Sequence, residues 1–176
     1  DGGTPGRKNS VSVTAVLQGY EIHCVILTEV AYDPPHGIGE WVEILNRSSE
    51  PVNLLGWTLE DADSTRITTI VRSPVILLPR NYMVVAEDST VAEYYGLTGG
   101  FIVPADVFIS LNNKGDTVRL RAPSGQINDE MSYTGGTPPV EGLSLERQNE
   151  DPESPYFNRW GFSSAPEGAT PGHKSS

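Results

Sequence analysis

The sequence predicts an all-β fold, and three observations lead to that prediction. Residues 40–46 and 51–61 alternate as two neighbouring strands do, with Val42 and Ile44 on one face of the first strand and Trp41 on the other. The chain has 18 glycines, 14 prolines and few long helical runs, which favours many short strands joined by turns. With 37% apolar residues, a chain of 176 residues can bury a core without disulfide or metal support.

Each apolar run that is bounded by turn residues is interpreted as a strand. The run at 82–86 is apolar almost throughout, which favours a position inside a sheet. Residues 11–17 also alternate and could form a short strand. The other predicted strands are 25–32, 40–46, 51–61, 66–71, 75–78, 82–86, 107–111, 116–121, 126–133 and 143–147.

One short helix is predicted at residues 89–95. Asp88 or Ser89 can cap its first turn, and Gly96 can end it. Residues 101–104 show no periodicity and are predicted to be irregular.

The turn at 112–115 predicts a hairpin between the strands 107–111 and 116–121. Gly115 supplies the positive φ that such a turn needs. Asp116 is expected to anchor the turn by accepting hydrogen bonds from nearby backbone N–H groups. A second hairpin is predicted at 123–125.

The chain from Gln148 onward is predicted to be irregular, yet it is rich in aromatic residues. Fully burying one such side chain is worth on the order of 2–3 kcal/mol. The tail is therefore expected to pack along the sandwich rather than to extend into water. The aromatic residues are Tyr156, Phe157, Trp160 and Phe162.

Two tryptophans are expected to be structural. Trp57 alternates in phase with Leu59 and is expected in the core. Trp41 lies opposite Val42 and would be partly exposed, unless Trp160 or its neighbours in the tail cover it. An exposed Trp41 would offer a platform for a ligand.

The net charge of −11 arises from 23 acidic and 12 basic residues. Such a surface repels phosphate backbones, so nucleic acid is an unlikely partner. Cys24 lies in an apolar run and is interpreted as a buried, inert side chain. No signal peptide opens the sequence, and no apolar run reaches the roughly 20 residues that span a bilayer.

The sequence predicts no enzyme and no cofactor. Glu40 and Glu43 fall on opposite faces of one strand, which argues against a shared acid–base site. Glu43 is expected to pair with Arg119 or Arg121 on a neighbouring strand. The spacing of the histidines matches no zinc pattern, and no serine occupies a nucleophile elbow. The histidines are His23, His36 and His173.

Asp61 and Asp63 begin like a calcium-binding loop. The pattern then fails, because Arg66 replaces the required glycine and Arg72 stands where the closing glutamate belongs. Calcium at these two aspartates is therefore a weak prediction, and a solvated hairpin turn is the alternative.

Residues 2–10 repeat residues 168–176, with six of nine positions identical. Two similar polar linkers would explain the repeat. The alternative is that the chain begins with the end of a preceding module of the same kind. The expected organisation is then a linker or preceding-module end at 1–22, one sandwich domain at 23–172, and a tail at 173–176.

Taken together, these elements resemble the lamin tail domain family in their order along the chain. The resemblance covers roughly residues 25–172 and is to the bacterial branch of the family. It implies an immunoglobulin-like β-sandwich with one short helix. Many relatives carry glycine after the proline where this chain has Arg80 and Asn81, so Asn81 is expected at positive φ. The segments that carry the resemblance are 28–30, 40–46, 52–59, 78–85, 110–120, 144–147 and 170–172.

The resemblance also implies a role. Members of this branch typically occur in exported multidomain proteins, sometimes beside hydrolase domains, and the domain itself is not known as an enzyme. The expected function is therefore a non-catalytic structural or interaction module of a larger protein that is secreted or held at the bacterial cell surface. Its partner would be a protein or a cell-envelope component, and the chain would be a monomer or weak dimer. The alternatives are a carbohydrate- or calcium-dependent envelope-binding module and an accessory domain of a neighbouring hydrolase.

Overall fold

The computed structural model describes residues 20–63, 66–135 and 141–174, which form a β-sandwich with one short helix. The predicted all-β sandwich is confirmed. The strands are β1 (Val25–Ala31), β2 (Trp41–Asn46), β3 (Val52–Asn53), β4 (Thr58–Glu60), β5 (Ile67–Thr69), β6 (Ile76–Leu77), β7 (Tyr82–Ala86), β8 (Phe101–Ile102), β9 (Gly115–Arg121), β10 (Ile127–Thr134), β11 (Leu145–Arg147) and β12 (Trp160–Phe162), and helix α1 spans Thr90–Tyr95. The possible strand at 11–17 lies outside the described residues.

Two sheets make up the sandwich. The larger sheet has the order β12-β11-β1-β2-β7-β8, and the smaller has the order β10-β9-β4-β5. Neighbouring strands in both sheets are antiparallel, except that β7 and β8 are parallel. β3 and β6 form a separate two-stranded ladder.

The main core lies between the two sheets. Val42 and Ile44 of β2 point into it and are fully buried, as the alternation predicts. Trp57 is also fully buried there, and Tyr20 packs against it with the ring centroids 5.1 Å apart. Burial of this apolar surface is the main favourable contribution to folding.

The outer face of the larger sheet is covered as well. Trp41 lies there in a small apolar cluster with Val91 of α1 and Ala169 of the tail. A second cluster joins Leu45 of β2 to Phe157. Every residue of β1 and β2 is consequently buried, because both faces of these strands are packed.

The helix is one residue shorter than predicted. It begins at Thr90, whose backbone N–H donates to Asp88 Oδ1 over 2.8 Å. It ends at Gly96. Val91 is the buried residue of α1, and the helix covers part of the sheet rather than contributing to the main core.

Residues 107–111 are not a strand, so the hairpin predicted for them is wrong. β9 instead pairs with β10 along its length and with β4 at its far end. The apolar residues Phe108, Ile109 and Leu111 are buried in the core without joining a ladder. Their alternation therefore reflects packing of an irregular segment.

Two short strands were predicted as irregular. Phe101 and Ile102 pair with β7, and residues 160–162 pair with β11 at the opposite edge of the sheet. Segments of two or three residues are too short to show the period of two that identifies a strand in a sequence. They are identified as strands by their pairing with β7 and β11.

The turn before β7 also differs from expectation. Arg80, not Asn81, has positive φ, at 61°. Asn81 N–H donates to the Leu78 carbonyl over 3.1 Å, which places Pro79 second and Arg80 third in a four-residue turn. With proline second, the third position is the one that requires positive φ in a type II turn.

Candidate functional site

Three glutamates lie side by side across the outer face of the larger sheet. Glu29 of β1 is directly opposite Glu146 of β11 on one side and Glu43 of β2 on the other. All three are buried, with 0% to 4% of their surface exposed. We call Glu146, Glu29 and Glu43 the glutamate row. Buried carboxyls of this kind require hydrogen-bond partners.

The tail supplies many of those partners through residues 168–172, here called the closing segment. Thr170 N–H donates to Glu29 Oε1 over 2.9 Å, and its hydroxyl donates to Glu146 Oε1 over 2.9 Å. Gly172 N–H donates to Glu43 Oε2 over 2.5 Å. Each glutamate of the row therefore accepts a hydrogen bond from the closing segment.

Hydroxyl groups of the sheet complete the arrangement. Thr28 donates to Glu43 Oε1 over 2.7 Å, and Ser144 donates to Glu29 Oε1 over 2.5 Å. Ser144 N–H also donates to the Gly168 carbonyl over 2.9 Å, so the closing segment is held at its first residue too.

Burial raises the pKa values of Glu29 and Glu43. It raises the pKa of Glu29 from 4.5 to about 7, although the Ser144 and Thr170 donors act in the opposite direction. Burial, reinforced by the nearby Glu29, raises the pKa of Glu43 well above its ordinary value. Desolvation disfavours the charged form of a carboxyl, and a second carboxylate adds repulsion. Glu29 and Glu43 therefore hold their protons to a higher pH than an exposed glutamate does.

A buried arginine fixes the tail just before the closing segment. Arg147 Nε and Nη1 donate to the carbonyls of Leu27 and Phe157, each over 2.6 Å. Nη2 donates over 2.5 Å to Asp129 of the opposite sheet. The guanidinium lies 4.1 Å from the ring centroid of Phe157 and 4.7 Å from that of Trp160. Arg147 thus joins the two sheets and the tail through one planar group.

The predicted exposure of Trp41 is wrong. The side chain is fully buried, and the Tyr95 ring of α1 meets it edge-on with the centroids 5.9 Å apart. Ala169 of the closing segment completes the cover. Trp160, the predicted cover, lies instead against Arg147.

The predicted ion pair of Glu43 with Arg119 or Arg121 is also wrong. Both arginines belong to β9 in the smaller sheet, whereas Glu43 lies in the larger sheet and faces away from the main core. Arg119 pairs with Glu130, and Arg121 pairs with Glu60 over 2.7 Å. A sequence shows that a strand is buried but not which sheet it joins.

The turn residues lie where the hairpin of β9 begins. Gly115 has φ of 133°, and its N–H donates to the Asn112 carbonyl over 2.9 Å. Asp116 accepts from the backbone N–H groups of Asn112 and Thr117 over 3.0 and 2.7 Å. It also accepts from Ala62 N–H over 2.9 Å, which ties this turn to the loop after β4.

The two predicted calcium ligands lie in that loop. Asp61 is buried, and its Oδ1 has no hydrogen-bond donor among the residues that the structure describes. Burial together with Asp116 and Asp63 raises its pKa. Asp116 already accepts backbone hydrogen bonds at both carboxylate oxygens. Across residues 20–63, 66–135 and 141–174, no three acidic, histidine or cysteine side chains come together as metal ligands. Calcium at Asp61 and Asp63 stays a prediction from the sequence.

A cleft of about 500 Å³ gathers basic side chains on this acidic protein. We call it the basic cleft and define it by Arg47, Arg80 and Lys174, with residues 147–151 as its floor. Arg80 and Lys174 are exposed, and neither takes part in an ion pair within the described part of the chain. The cleft thus presents exposed cations to an anionic group, beside the carboxylates of Glu150 and Asp151.

The glutamate row was not predicted from the sequence, although the sequence carries a signal for it. Glu29 lies in a strand whose one other polar residue is Thr28, and Glu43 lies in a strand whose one other polar residue is the terminal Asn46. A single acid inside such a strand indicates a buried carboxyl with dedicated partners. The partners of Glu29 and Glu43 in the closing segment lie more than a hundred residues further along the chain and have no local signature.

The fold and its closing tail define a class of protein, an all-β sandwich of the immunoglobulin-like kind. The family model of the lamin tail domain matches residues 19–135, which is more than half of the chain. The protein therefore belongs to the lamin tail domain family, whose members are non-enzymatic immunoglobulin-like interaction domains. Glu146 and the closing segment lie beyond the matched residues.

No curated protein matches this chain. In the described residues, no helix is long and apolar enough to cross a membrane.

Proposed function

We propose that this chain is a non-catalytic structural and interaction module of a larger, exported bacterial protein. It binds an anionic component of the cell envelope through the basic cleft. The observation that carries the proposal is the pair of exposed, unpaired cations Arg80 and Lys174 in one cleft of a chain with net charge −11.

The chemistry of the cleft suits carboxylate or phosphate groups. Arg80 offers a planar fork of donors, and Lys174 offers a compact point charge. Arg47 donates through Nε to the His23 carbonyl over 3.2 Å, which fixes its guanidinium at the rim. Glu150 and Asp151 lie in the same cleft, so they favour a ligand with separate anionic groups over a dense polyanion.

The sequence repeat supports the larger context, in which several modules of this kind follow one another in one protein. Residues 2–10 repeat the sequence that includes the closing segment, so we propose that they end a preceding module of the same kind. The chain would then be one unit of a tandem array.

Co-sedimentation of the purified chain with the insoluble cell envelope of its source organism tests the proposed function. The double variant Arg80→Ala/Lys174→Ala removes the unpaired cations. Lys114→Ala/Arg159→Ala is the matched control, because it removes the same charge at exposed positions outside the cleft. We expect saturable binding for wild type and control, and binding at least about fivefold weaker for the cleft variant.

Varying the salt and calcium concentrations shows which part of the protein binds the cell envelope. Binding at the cleft should weaken as salt rises, since exposed charges are screened, and should not change when a chelator removes calcium. Equal binding by all three proteins, or no binding by wild type, would contradict the proposal. Loss of binding in chelator would point to Asp61 and Asp63 instead.

A further inference from the structure

The glutamate row is occupied by a sequence that the chain contains twice. The closing segment reads Gly-Ala-Thr-Pro-Gly, and residues 2–6 read Gly-Gly-Thr-Pro-Gly. The four residues that they share include all those that donate hydrogen bonds to the glutamate row. Of the five positions, only Ala169 differs, and it is replaced by glycine.

Each shared residue has a structural reason to be kept. Thr170 uses its N–H and its hydroxyl to reach Glu29 and Glu146, and the hydroxyl also lies 3.3 Å from Glu29 Oε2. Valine has the same shape but would lose both hydroxyl hydrogen bonds. Gly172 donates its N–H to Glu43. Pro171 between them is buried.

Gly168 is fixed by steric contact. Its φ is 79°, and a Cβ atom there would lie 2.2 Å from the Gly142 carbonyl oxygen. No side chain fits at that distance, so the segment must begin with glycine. Residue 2 meets this requirement.

We propose that the glutamate row is a docking site for a Gly-x-Thr-Pro-Gly segment, and that residues 2–6 are a ligand for this site on a second copy of the module. Copies of the fold can therefore be joined by exchanging closing segments. The recognised chemistry is a pair of backbone N–H groups and one hydroxyl, presented at fixed spacing by a proline-containing segment. The proposal extends the tandem arrangement above and does not depend on envelope binding.

The test removes the closing segment from the protein after the protein has folded. A site-specific protease sequence inserted between Pro166 and Glu167, which are both exposed, allows the closing segment to be cut from the folded protein. Fluorescent peptides with the sequences of residues 167–176 and 1–10 are then titrated against the cut protein, and binding is measured by fluorescence anisotropy. We expect the two dissociation constants to agree within about tenfold.

Peptide variants identify the contact. A Thr4→Val version of the 1–10 peptide should bind at least about tenfold more weakly, because hydrogen bonds to carboxylates are lost. A scrambled peptide of the same composition should not bind. Binding of the 167–176 peptide without binding of the 1–10 peptide would overturn the proposal. So would a cut protein that keeps its fold and binds neither.

A second variant covers the case in which the cut protein unfolds. The substitutions Ala169→Gly, His173→Arg and Ser175→Asn make residues 168–176 identical to residues 2–10. This intact variant should melt close to wild type, whereas adding Thr170→Val should lower the melting temperature clearly. If the triple variant alone lost as much stability as Thr170→Val does in wild type, residues 2–6 would not be a ligand for the row. None of these outcomes affects the envelope-binding test.

Discussion

Glu29 lies in the middle of the glutamate row, and its acidity should be visible in the stability of the whole domain. Its pKa is about 7 in the folded protein against an ordinary value of 4.5. Between these two pH values the folded state binds the proton more tightly than the unfolded state does. The free energy of unfolding should therefore fall as pH rises from 4.5 to 7.

The size of this pH effect follows from the shift in pKa. A rise of the Glu29 pKa from 4.5 to about 7 corresponds to a loss of unfolding free energy on the order of 3 kcal/mol across that interval. The raised pKa of Glu43 contributes with the same sign. Denaturant unfolding at pH 5, 6, 7 and 8 measures it. The variant Glu29→Gln removes one of the titrating groups and should make the slope of the profile clearly shallower, while Glu43 and Glu40, whose pKa values burial also raises, keep part of it.

Glu153→Gln is the control, because Glu153 is exposed and lies outside the row. It should keep the wild-type slope. Wild-type stability that is constant or rises between pH 5 and 7 would contradict the raised pKa values of Glu29 and Glu43.

At the residue scale, the sequence predicted which side chains are buried better than it predicted which residues they contact. The alternation in β2 correctly placed Val42 and Ile44 in the core. It could not show that Glu43 accepts from Gly172, because that contact spans 129 residues. Arg147 likewise gave no local sign of its role, since its three acceptors lie on β1, on β10 and in the tail.

The hairpin of β9 and β10 shows most directly how the conformation of single turn residues affects stability. Gly115 and Gly125 lie at its two ends, and both have positive φ. A Cβ atom at Gly115 would lie 2.9 Å from the Tyr133 carbonyl oxygen, whereas nothing lies within 4 Å of one at Gly125.

Alanine at the two positions should therefore have unequal effects. Gly125→Ala carries only the left-handed backbone penalty of about 1–2 kcal/mol, while Gly115→Ala adds a contact with backbone that cannot move aside. We expect Gly115→Ala to cost at least about 1 kcal/mol more than Gly125→Ala in urea unfolding. Equal costs would show that the turn at Gly115 relaxes freely.

At the element scale, the apolar run of β7 was predicted correctly and the short edge strands were not. The predicted strand 51–61 is wrong as one element, because it divides into β3 and β4, which belong to different ladders. β7 has the predicted bounds, because turn residues on both sides of five consecutive strand residues define where the strand begins and ends. β8 and β12 are short, and each depends on the strand beside it. Residues 107–111 alternate like a strand, but the ladder positions on β9 are taken by β10 and β4.

At the scale of the whole molecule, the tail is a structural part of the sandwich. Phe157 packs on the outer face with Ile26 and Leu45, and the closing segment lies over the glutamate row between this cluster and that of Trp41. The aromatic content of the tail predicted that it would pack. Its position on the outer face is a tertiary outcome that no local pattern encodes.

The sandwich is closed by its own tail, whereas residues 1–10 are proposed to belong to a preceding module. Thermal unfolding of two deletions, one of residues 1–10 and one of residues 156–172, tests this account most directly. The first deletion should leave the melting temperature almost unchanged. The second removes Phe157, Trp160 and the closing segment, and should lower the melting temperature severely or prevent folding. Equal losses from both deletions, or a stable protein without residues 156–172, would contradict the account.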